Sequence, residues 1–376
     1  MTSPLLLALL ISVGHHPRPA PTFAGIAATV QRGIRQGIYP GAVVVVGRRD
    51  TVLYSRGFGH LTWSGKAPRP DPESTRWDLA SLTKVVATTS AVLVLVERGK
   101  VDLDAPVARY LPRFSGDGRD LVTVRMLLDH TSGLPAYVAF FRLAANRDEA
   151  IDMLYRVPLV RTPGRSAEYS DLNAMLLGLL VESVSGVPLD RFASSEVFTP
   201  LGMSATLFAP WLPSGVSIAP SWSAAGHPEP GRVNDQNSYL LGGVAGHAGL
   251  FSTGADLARY AQAWLRGGST SEGRWASAET LQEFLRLSPA SGSRALGWDT
   301  PERRGTRSSV YGRLAGAGTY GHTGWTGTMI WINPDRDLFL VFLTNRSLDP
   351  RARRSIKALR ALRGRLSDQV DVAALR

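Results

Sequence analysis

The sequence predicts an α+β fold, in which one antiparallel sheet is built from both chain ends and flanked by helices, with a mainly helical region inserted between them. Three observations lead to this prediction. Apolar, β-branched runs occur near residues 42–57 and again near 319–344, apolar residues at helical spacing fill much of the middle, and amphipathic helices are expected at both ends. A chain of 376 residues can bury a large core without disulfides.

The first 22 residues are predicted to be a signal segment and linker. Residues 4–13 form an apolar run that is too short to span a bilayer and is typical of the h-region of a secretory signal. No basic residue precedes this run, and no clean cleavage site follows it. We therefore expect export to the periplasm or the exterior, with an N-terminus that could stay membrane-associated; a plain apolar tail is the alternative.

The domain itself is predicted to cover residues 23–376, with a sheet subdomain formed by about 23–78 and 240–376. Apolar residues at helical spacing predict a first helix that ends near Gly37. Residues 42–47 and 51–57 then predict two strands joined by a turn, and residues 64–76, rich in Pro, Gly and charge, indicate a loop.

The helical insert is predicted to cover about residues 79–239. Its expected helices lie at residues 81–98, 123–129, 147–155 and 171–185, and the last of these ends at Gly186. Residues 205–250 are rich in Gly, Pro and Ser and are expected to be mostly loop.

The C-terminal part returns to strands after helices at residues 254–266 and 278–287. Strands are predicted at residues 293–298 and 319–323, followed by a hairpin formed by residues 328–333 and 338–344. Pro350 is expected to begin the last helix. An active site would lie between the sheet edge and the helical insert.

Composition excludes several kinds of chemistry. The chain has no cysteine, which rules out disulfides, thiol catalysis and thiolate metal sites. Its histidines form no metal-ligand pair at useful spacing, and we find neither a phosphate-binding loop nor a basic-aromatic platform, so no metal, cofactor or nucleic acid is expected. The net charge of +11 comes from arginines that are spread along the chain, and we interpret them as solvated surface residues. Attraction to an anionic polymer is the alternative interpretation.

Ser81 and Lys84 form a Ser-x-x-Lys motif at the start of a predicted apolar helix. Positions i and i+3 share a helix face, so the lysine would lie beside the serine hydroxyl. The helix dipole and the apolar surroundings would both lower the lysine pKa and make it a base near neutral pH. Only four of the 42 basic residues are lysines, and arginine cannot serve as a base.

Two later motifs support this pair. Tyr169-Ser170-Asp171 precedes an apolar helix, where a phenol near Ser81 could carry a proton to a leaving group. His322-Thr323-Gly324 lies on a predicted strand that precedes the hairpin, where a substrate backbone could lie alongside. Each motif alone has an ordinary structural explanation, such as Asp171 serving as a helix N-cap.

In this order the motifs resemble those of the serine β-lactamase and penicillin-binding-protein superfamily, in its class C-like branch. The resemblance runs from about residue 23 to 365. It implies an acyl-enzyme on Ser81, proton transfer by Lys84 and Tyr169, and an oxyanion hole formed by the N–H groups of Ser81 and Trp325. Substrate binding would fall to His322, Thr323 and Gly324, together with Asp171 and Asn173.

The resemblance leaves the substrate open. D-amino-acid peptides, as in a peptidoglycan D,D-carboxypeptidase, are favoured; β-lactams and esters are the nearest alternatives, and a slowly acylating or non-catalytic penicillin or muropeptide sensor is another. A monomer with no stable membrane span is expected.

Two positions depart from the family pattern. Asp171 stands where asparagine is usual, and it would raise the pKa of Lys84 or bind a substrate amine, while Asn173 could replace the missing amide. His322 stands where lysine is usual, so a charge that titrates near neutral pH is expected to hold a substrate carboxylate, more strongly at pH 6 than at pH 8.

Overall fold

The computed structural model describes residues 23–208, 215–224, 227–271, 273–301, 310–348 and 356–375. The predicted signal segment, residues 1–22, lies outside the described residues, as does Pro350, the predicted start of the last helix. The fold class is confirmed: an antiparallel sheet carries helices on both faces, and a mainly helical region lies between the two stretches of chain that build it.

The helices of the described ranges are α1 (Ala24–Arg35), α2 (Ser90–Glu97), α3 (Val124–Leu128), α4 (Arg147–Arg156), α5 (Asp171–Ser185), α6 (Leu189–Ala193), α7 (Gln236–Leu240), α8 (Gly254–Leu265), α9 (Ala278–Phe284) and α10 (Ile356–Leu375). A π-helical turn, Lys84–Thr89, leads directly into α2. The helix predicted at residues 81–98 therefore exists, but its first turns are wider than an α-helix, a feature that is frequent at functional sites.

The strands are β1 (Gly41–Gly47), β2 (Val52–Gly59), β3 (Arg76–Asp78), β4 (Leu207–Phe208), β5 (Ile218–Ala219), β6 (Ser223–Ala224), β7 (His227–Pro228), β8 (Leu250–Ser252), β9 (Ser269–Thr270), β10 (Gly273–Arg274), β11 (Tyr320–Thr323), β12 (Met329–Asn333) and β13 (Leu338–Thr344). The main sheet has the order β11-β12-β13-β1-β2, and all its pairs are antiparallel. Strand β13 pairs with β1, with Val44 opposite Phe342, so the two ends of the chain meet at the centre of the sheet.

Alternating side chains of β1 pack on opposite faces of this sheet. Val44 packs with residues of α1 and α10, including Ile26 and Leu362. Val43 and Val45 belong to the larger core that is shared with α8 and the helical region. Because both faces are covered, β1 and β13 are apolar along their whole length, as the continuous β-branched run in the sequence indicated.

A second, small sheet positions the start of the π-helical turn. Its order is β4-β8-β3-β5, and β3 lies between β8 and β5. From the sequence, we predict that the loop of residues 64–76 ends where β3 begins, and we predict no strand there. A strand of only three residues is too short to show a periodic pattern.

The strand predicted at residues 293–298 is wrong. The chain folds back on itself there, with Ala295 N–H donating to Trp298 O at 2.9 Å and Thr300 N–H donating to Ser293 O at 2.9 Å. Gly297 has a φ of 82°, and a Cβ at this position would collide with the Thr89 side chain. The segment contacts β11 through a bridge between Asp299 and Gly321.

Candidate active site

Ser81 lies three residues after the end of β3, in a strained turn. Its neighbour Ala80 has a φ of 47°, a left-handed conformation that residues with a Cβ rarely adopt. The Ala80 N–H donates to Asp78 Oδ1 at 2.8 Å. Asp78 Oδ2 accepts from Ser221 Oγ at 3.0 Å and from the Asn234 N–H at 2.7 Å, so one buried carboxylate joins this turn to the loop opposite.

The Lys84 ammonium has three acceptors around it. Its Nζ lies 3.0 Å from Ser81 Oγ, 3.1 Å from His247 O and 2.8 Å from Asp171 Oδ1. The side chain is only 4% exposed. The contacts with Ser81 Oγ and His247 O are hydrogen bonds, and the contact with Asp171 Oδ1 is an ion pair.

The pKa of Lys84 is raised, opposite to the direction that the helix dipole and burial predict. Burial is the largest single influence and lowers the pKa, but the charges and hydrogen bonds of Asp171 and Tyr169 together outweigh it. Lys84 is therefore an ammonium ion at neutral pH. This agrees with the expectation from the sequence that Asp171 would raise the lysine pKa.

The Tyr169 ring lies at the centre of the site. It is 5.0 Å from Lys84 Nζ, 4.8 Å from the His130 ring and 5.9 Å from the His322 ring. Arg294 contacts it as well, with its Cζ 4.9 Å from the ring centroid. Four residues that are distant from one another in the sequence thus surround this side chain.

A buried network beneath Tyr169 fixes its backbone. His130, with a φ of 63°, accepts the Ser170 N–H at Nδ1 over 3.1 Å. Asn173 Nδ2 lies 3.1 Å from the same nitrogen, and Asn173 Oδ1 accepts from Ser132 Oγ at 2.6 Å. Burial first, and then the charge of Arg294, hold the pKa of His130 well below its ordinary value, so the ring is neutral.

Asn173 is fully buried, and both polar atoms of its amide contact this network. The structure therefore places it below the cleft and gives it a positioning role, whereas Asp171 lines the cleft.

Ser81 and Trp325, whose backbone N–H groups the resemblance assigns to an oxyanion hole, both line the cleft. In the described part of the chain, neither donates a backbone hydrogen bond. The Trp325 turn is anchored to the nucleophile's strand, because Thr326 Oγ1 donates to Asp78 O at 2.7 Å and Thr328 Oγ1 donates to Leu79 O at 2.9 Å. Gly324 is required here, since a Cβ would lie 2.5 Å from Leu79 O.

His322 lies on the edge strand β11 and is uncharged at neutral pH. Burial is the main cause that holds its pKa well below the ordinary value, followed by the charges of Arg294 and Lys84. Neither ring nitrogen has a hydrogen-bond partner among the described residues. The expectation that His322 carries a partial charge near neutral pH is therefore corrected, because buried imidazole beside cations stays neutral.

Arginines supply the positive charge beside His322. Arg363, from α10, donates to Gly324 O at 3.0 Å and to Thr328 O at 2.8 Å, and burial lowers its pKa to about 9. Arg294 lies 3.8 Å from Asp299, too far for a full hydrogen bond. Arg294, Arg360 and Arg363 line a cavity of about 330 Å³, which we call the arginine cavity. Ser81 and Tyr169 line it as well.

A second cavity, of about 720 Å³, opens on the other side of Ser81. It shares Ser81, Tyr169 and Trp325 with the arginine cavity. Its further lining includes carboxylates and aromatic rings, namely Asp171, Asp235, Tyr137, Phe141 and Trp222. We call it the acidic cavity.

The structure thus brings the predicted residues Ser81, Lys84, Tyr169, Asp171, His322, Thr323, Gly324 and Trp325 to one cleft. Sequence reasoning missed several contributors, namely Asp78, His130, Asp235, His247, Arg294 and Arg363. His130 and His247 lie in segments that resemble the family, and this resemblance could have identified them as site residues. No sequence pattern identifies Arg294 or Arg363.

This fold and this cleft define a serine hydrolase that uses a Ser-Lys-Tyr arrangement. Comparison with known proteins agrees, because the model of the beta-lactamase family matches residues 26–365. The chain belongs to the beta-lactamase family.

Curated relatives and solved structures give the same picture. A protein from Escherichia coli O157:H7 named "Putative D-alanyl-D-alanine carboxypeptidase" is 34% identical over 348 residues, covering 83% of this chain and 80% of the relative. A protein of the same name from Salmonella schwarzengrund is 32% identical over 358 residues, covering 85% and 82%.

A class C beta lactamase from Rhodobacter sphaeroides shares the fold, with a TM-score of 0.71, 22% identity and coverage of 93% of this chain and 99% of that one. An octameric penicillin-binding protein homologue from Pyrococcus abyssi has a TM-score of 0.69 at 22% identity, covering 90% and 76%. The monomer expected from the sequence stays a prediction beside that octamer.

No single helix in the described ranges is long and apolar enough to cross a membrane. The segments Asp171–Ser185 and Leu189–Phe198 reach that length and composition only together, and they are bent by 80° at the break between them. In the same ranges, no cluster of three or more His, Cys, Asp or Glu side chains could hold a metal ion.

Proposed function

We propose that this serine hydrolase is a D,D-carboxypeptidase, which releases the last residue from peptides that end in D-alanyl-D-alanine or a similar D-amino acid. The observation that carries the proposal is the arginine cavity beside Ser81. A carboxypeptidase must recognise the terminal carboxylate of its substrate, and the names of the curated relatives point to the same substrate class.

The arginine cavity is suited to a carboxylate. Arg363 remains charged at neutral pH, because burial lowers its pKa only to about 9, whereas burial keeps the pKa of His322 well below its ordinary value and the ring neutral. The Nε of Arg363 has no hydrogen-bond partner in the described chain, although its side chain is buried. A guanidinium in this state favours a carboxylate oxygen, since charge-assisted hydrogen bonds are the stronger ones.

In the proposed reaction, Ser81 Oγ attacks the scissile carbonyl carbon and a tetrahedral oxyanion forms against the N–H groups of Ser81 and Trp325. The C–N bond then breaks, the serine proton goes to the leaving amine, and an ester on Ser81 remains. Because its raised pKa keeps Lys84 protonated, we assign the proton transfer to the hydroxyl of Tyr169, whose ring centroid lies 5.0 Å from Lys84 Nζ. Water then hydrolyses the ester.

The test uses Nα,Nε-diacetyl-L-Lys-D-Ala-D-Ala and the same peptide with a C-terminal amide. We expect D-alanine release from the free acid, no release by Ser81→Ala, and a strong preference for the acid over the amide. Arg294→Ala should lower kcat/KM for the acid by roughly 10- to 100-fold, the effect of losing a charged hydrogen bond. Arg113→Ala, an exposed arginine paired with Asp152, is the matched control.

The proposal fails if the wild-type protein releases no D-alanine, or if it cleaves acid and amide equally well. Cleavage of simple esters alone, with no peptide cleavage, would instead support a carboxylesterase.

A second candidate, a penicillin or muropeptide sensor, is favoured by the Lys84–Asp171 ion pair. With Lys84 held as an ammonium, no neutral amine is present to activate the water that hydrolyses the acyl-enzyme. Intact-mass analysis after penicillin treatment separates the two candidates. Label that persists for hours, without peptide turnover, supports the sensor, whereas D-alanine release with turnover supports the peptidase.

A further inference from the structure

The charged side chains of the cleft are distributed unequally across the nucleophile. The arginine cavity is lined by Arg294, Arg360 and Arg363 with the single carboxylate of Asp299, whereas the acidic cavity is lined by Asp171 and Asp235 with the single guanidinium of Arg346. If the arginine cavity takes the terminal carboxylate and hence the leaving group, the acidic cavity takes the acyl group. This assignment of sides rests on the proposed function.

Each carboxylate of the acidic cavity uses only one of its oxygens within the protein. Asp171 Oδ1 pairs with Lys84, and Asp235 Oδ1 accepts the Ser238 N–H at 2.8 Å and contacts His247 Nε2 at 2.9 Å. Neither Oδ2 receives a hydrogen bond from the described residues. An ionised carboxylate only accepts hydrogen bonds, so both oxygens call for a donor.

Asp235 is ionised in this cavity. Burial raises its pKa, but the adjacent His247 and the Ser238 N–H outweigh that effect and bring the pKa down to about 2. Asp171 stands where the family has an amide, and an amide would donate to an acyl carbonyl. A carboxylate at the same position repels that carbonyl and accepts an N–H instead.

Aromatic rings complete the acidic cavity. Tyr137 is 47% exposed, and Trp325 is 60% exposed although the Arg346 guanidinium lies over one face of its ring. Burial, then Asp235, then Asp171 raise the pKa of Tyr137, so this ring lies in the field of both carboxylates. Aromatic faces beside carboxylates are a favourable surrounding for an organic ammonium ion.

The cations near this cavity are already engaged. Arg346 donates to Trp325 O at 3.0 Å and stacks on the Trp325 ring, with its Cζ 4.7 Å from the centroid. Lys84 is buried against Asp171 Oδ1. Asp171 and Asp235 both line the cavity that the acyl group would fill, and their side chains are 19% and 26% exposed.

We infer that the acidic cavity selects substrates whose acyl group carries an ammonium group, bound by Asp171 and Asp235 against the rings of Tyr137 and Trp325. Asp235 would then determine specificity through its contact with the ammonium group. It hydrogen-bonds Ser238 and His247, and it contacts neither Ser81 nor Lys84. The ligand class is a D-amino-acid peptide with an unblocked amine on the acyl side of the scissile bond.

Ampicillin and benzylpenicillin test this inference, since they differ only by an amine on the acyl side chain. At pH 6.5 that amine is protonated, and the acylation rate of Ser81 by each compound can be followed by intact mass. We expect the wild-type protein to react with ampicillin roughly tenfold or more faster than with benzylpenicillin, the effect of one charged hydrogen bond. Asp235→Asn should bring this ratio close to one.

The same comparison is made with two peptides, Nα-acetyl-L-Lys-D-Ala-D-Ala and its Nε-acetylated form. The unblocked side-chain amine should raise kcat/KM in the wild type and lose its advantage in Asp235→Asn. Asp152→Asn, an exposed carboxylate on α4, is the matched control and should keep the wild-type ratios.

Equal reaction of amine-bearing and amine-free compounds in the wild type overturns the inference and leaves the proposed peptidase intact. A wild-type preference that survives in Asp235→Asn also overturns it. If neither peptide nor either penicillin reacts, the proposed function itself fails, and the assignment of the acyl side fails with it.

Discussion

Asp171 Oδ1 lies 2.8 Å from Lys84 Nζ, so the lysine of the Ser-x-x-Lys motif is held as one half of a buried ion pair. The family pattern has a neutral amide at the aspartate position. In this chain the aspartate, together with Tyr169, raises the lysine pKa, while the 3.0 Å contact of the lysine with Ser81 Oγ is present.

The first prediction is that Asp171→Asn lowers the pH at which Lys84 can act as a base. Removing the carboxylate removes the charge that raises the lysine pKa and leaves the burial that lowers it. The rate of acylation by a fluorescent penicillin, measured from pH 6 to 10, should rise at a pH at least about one unit lower in the variant. Identical profiles for the two proteins would contradict this.

The second prediction concerns His322, and it reverses the expectation from the sequence. Because burial and the neighbouring arginine keep the imidazole neutral, the affinity for carboxylate substrates should not follow histidine titration. KM for a peptide with a free C-terminal carboxylate should change less than about twofold between pH 6.5 and 8.5. A several-fold weakening over that range, absent in His322→Gln, would show that the histidine does carry the charge.

The sequence allowed the spatial grouping of the candidate site residues to be predicted, because these residues are close in the chain or belong to recognisable motifs. Ser81 and Lys84 share the first helical turn, so their proximity follows from spacing alone. Tyr169 and His322 required the family resemblance, since nothing local brings residues so distant in the chain to one site. The apolar runs of β1 and β13 likewise predicted the centre of the sheet.

The charges that select the substrate could not be predicted in the same way. Arg363 comes from the last helix and Arg294 from the folded-back loop, and neither has a local pattern that separates it from the many other arginines. Residues 293–298 were predicted as a strand because they carry apolar side chains. The positive φ of Gly297 and its contact with Thr89, which are tertiary facts, decide the turn.

The third prediction is that Trp298→Ala destabilises the protein and weakens carboxylate binding. Trp298 is fully buried, and its ring lies 5.0 Å from Trp264 and 5.0 Å from Tyr320. Truncation should cost about 3–5 kcal/mol in the free energy of unfolding, measured by urea titration. Because this loop carries Arg294, KM for the peptide with a free carboxylate should rise more than kcat falls.

The control for that variant is Leu143→Ala, an exposed side chain in the helical region. It should change the free energy of unfolding by less than about 0.5 kcal/mol and leave KM unchanged. A Trp298→Ala protein that loses stability but keeps the wild-type KM would show that the loop does not position Arg294.

The fourth prediction is that Asp78 gives acylation an acid limb near pH 6. Burial raises the pKa of this carboxyl to about 6, against the three hydrogen bonds that it accepts. Protonation places an O–H against an N–H donor, that of Ala80 at Oδ1 or that of Asn234 at Oδ2, and so weakens the contacts that hold the strained turn before Ser81. The rate of penicillin acylation should therefore fall below pH 6 in the wild type.

Asp78→Asn should behave as the low-pH form at every pH, because its amide offers one acceptor where the carboxylate offers two. We expect a reduced acylation rate without the limb. Folding stability depends on pH in the opposite sense to the acylation rate, because the pKa of Asp78 is higher in the folded protein than in the unfolded chain. The protonated Asp78 contributes about 3 kcal/mol to the free energy of unfolding below about pH 4, and this contribution is lost as the pH rises through 6. Asp371→Asn is the matched control, since burial also raises the pKa of Asp371 to about 6 but it pairs with Arg336, away from the cleft. An acid limb that persists in Asp78→Asn, or disappears in Asp371→Asn, would remove Asp78 from the positioning of Ser81.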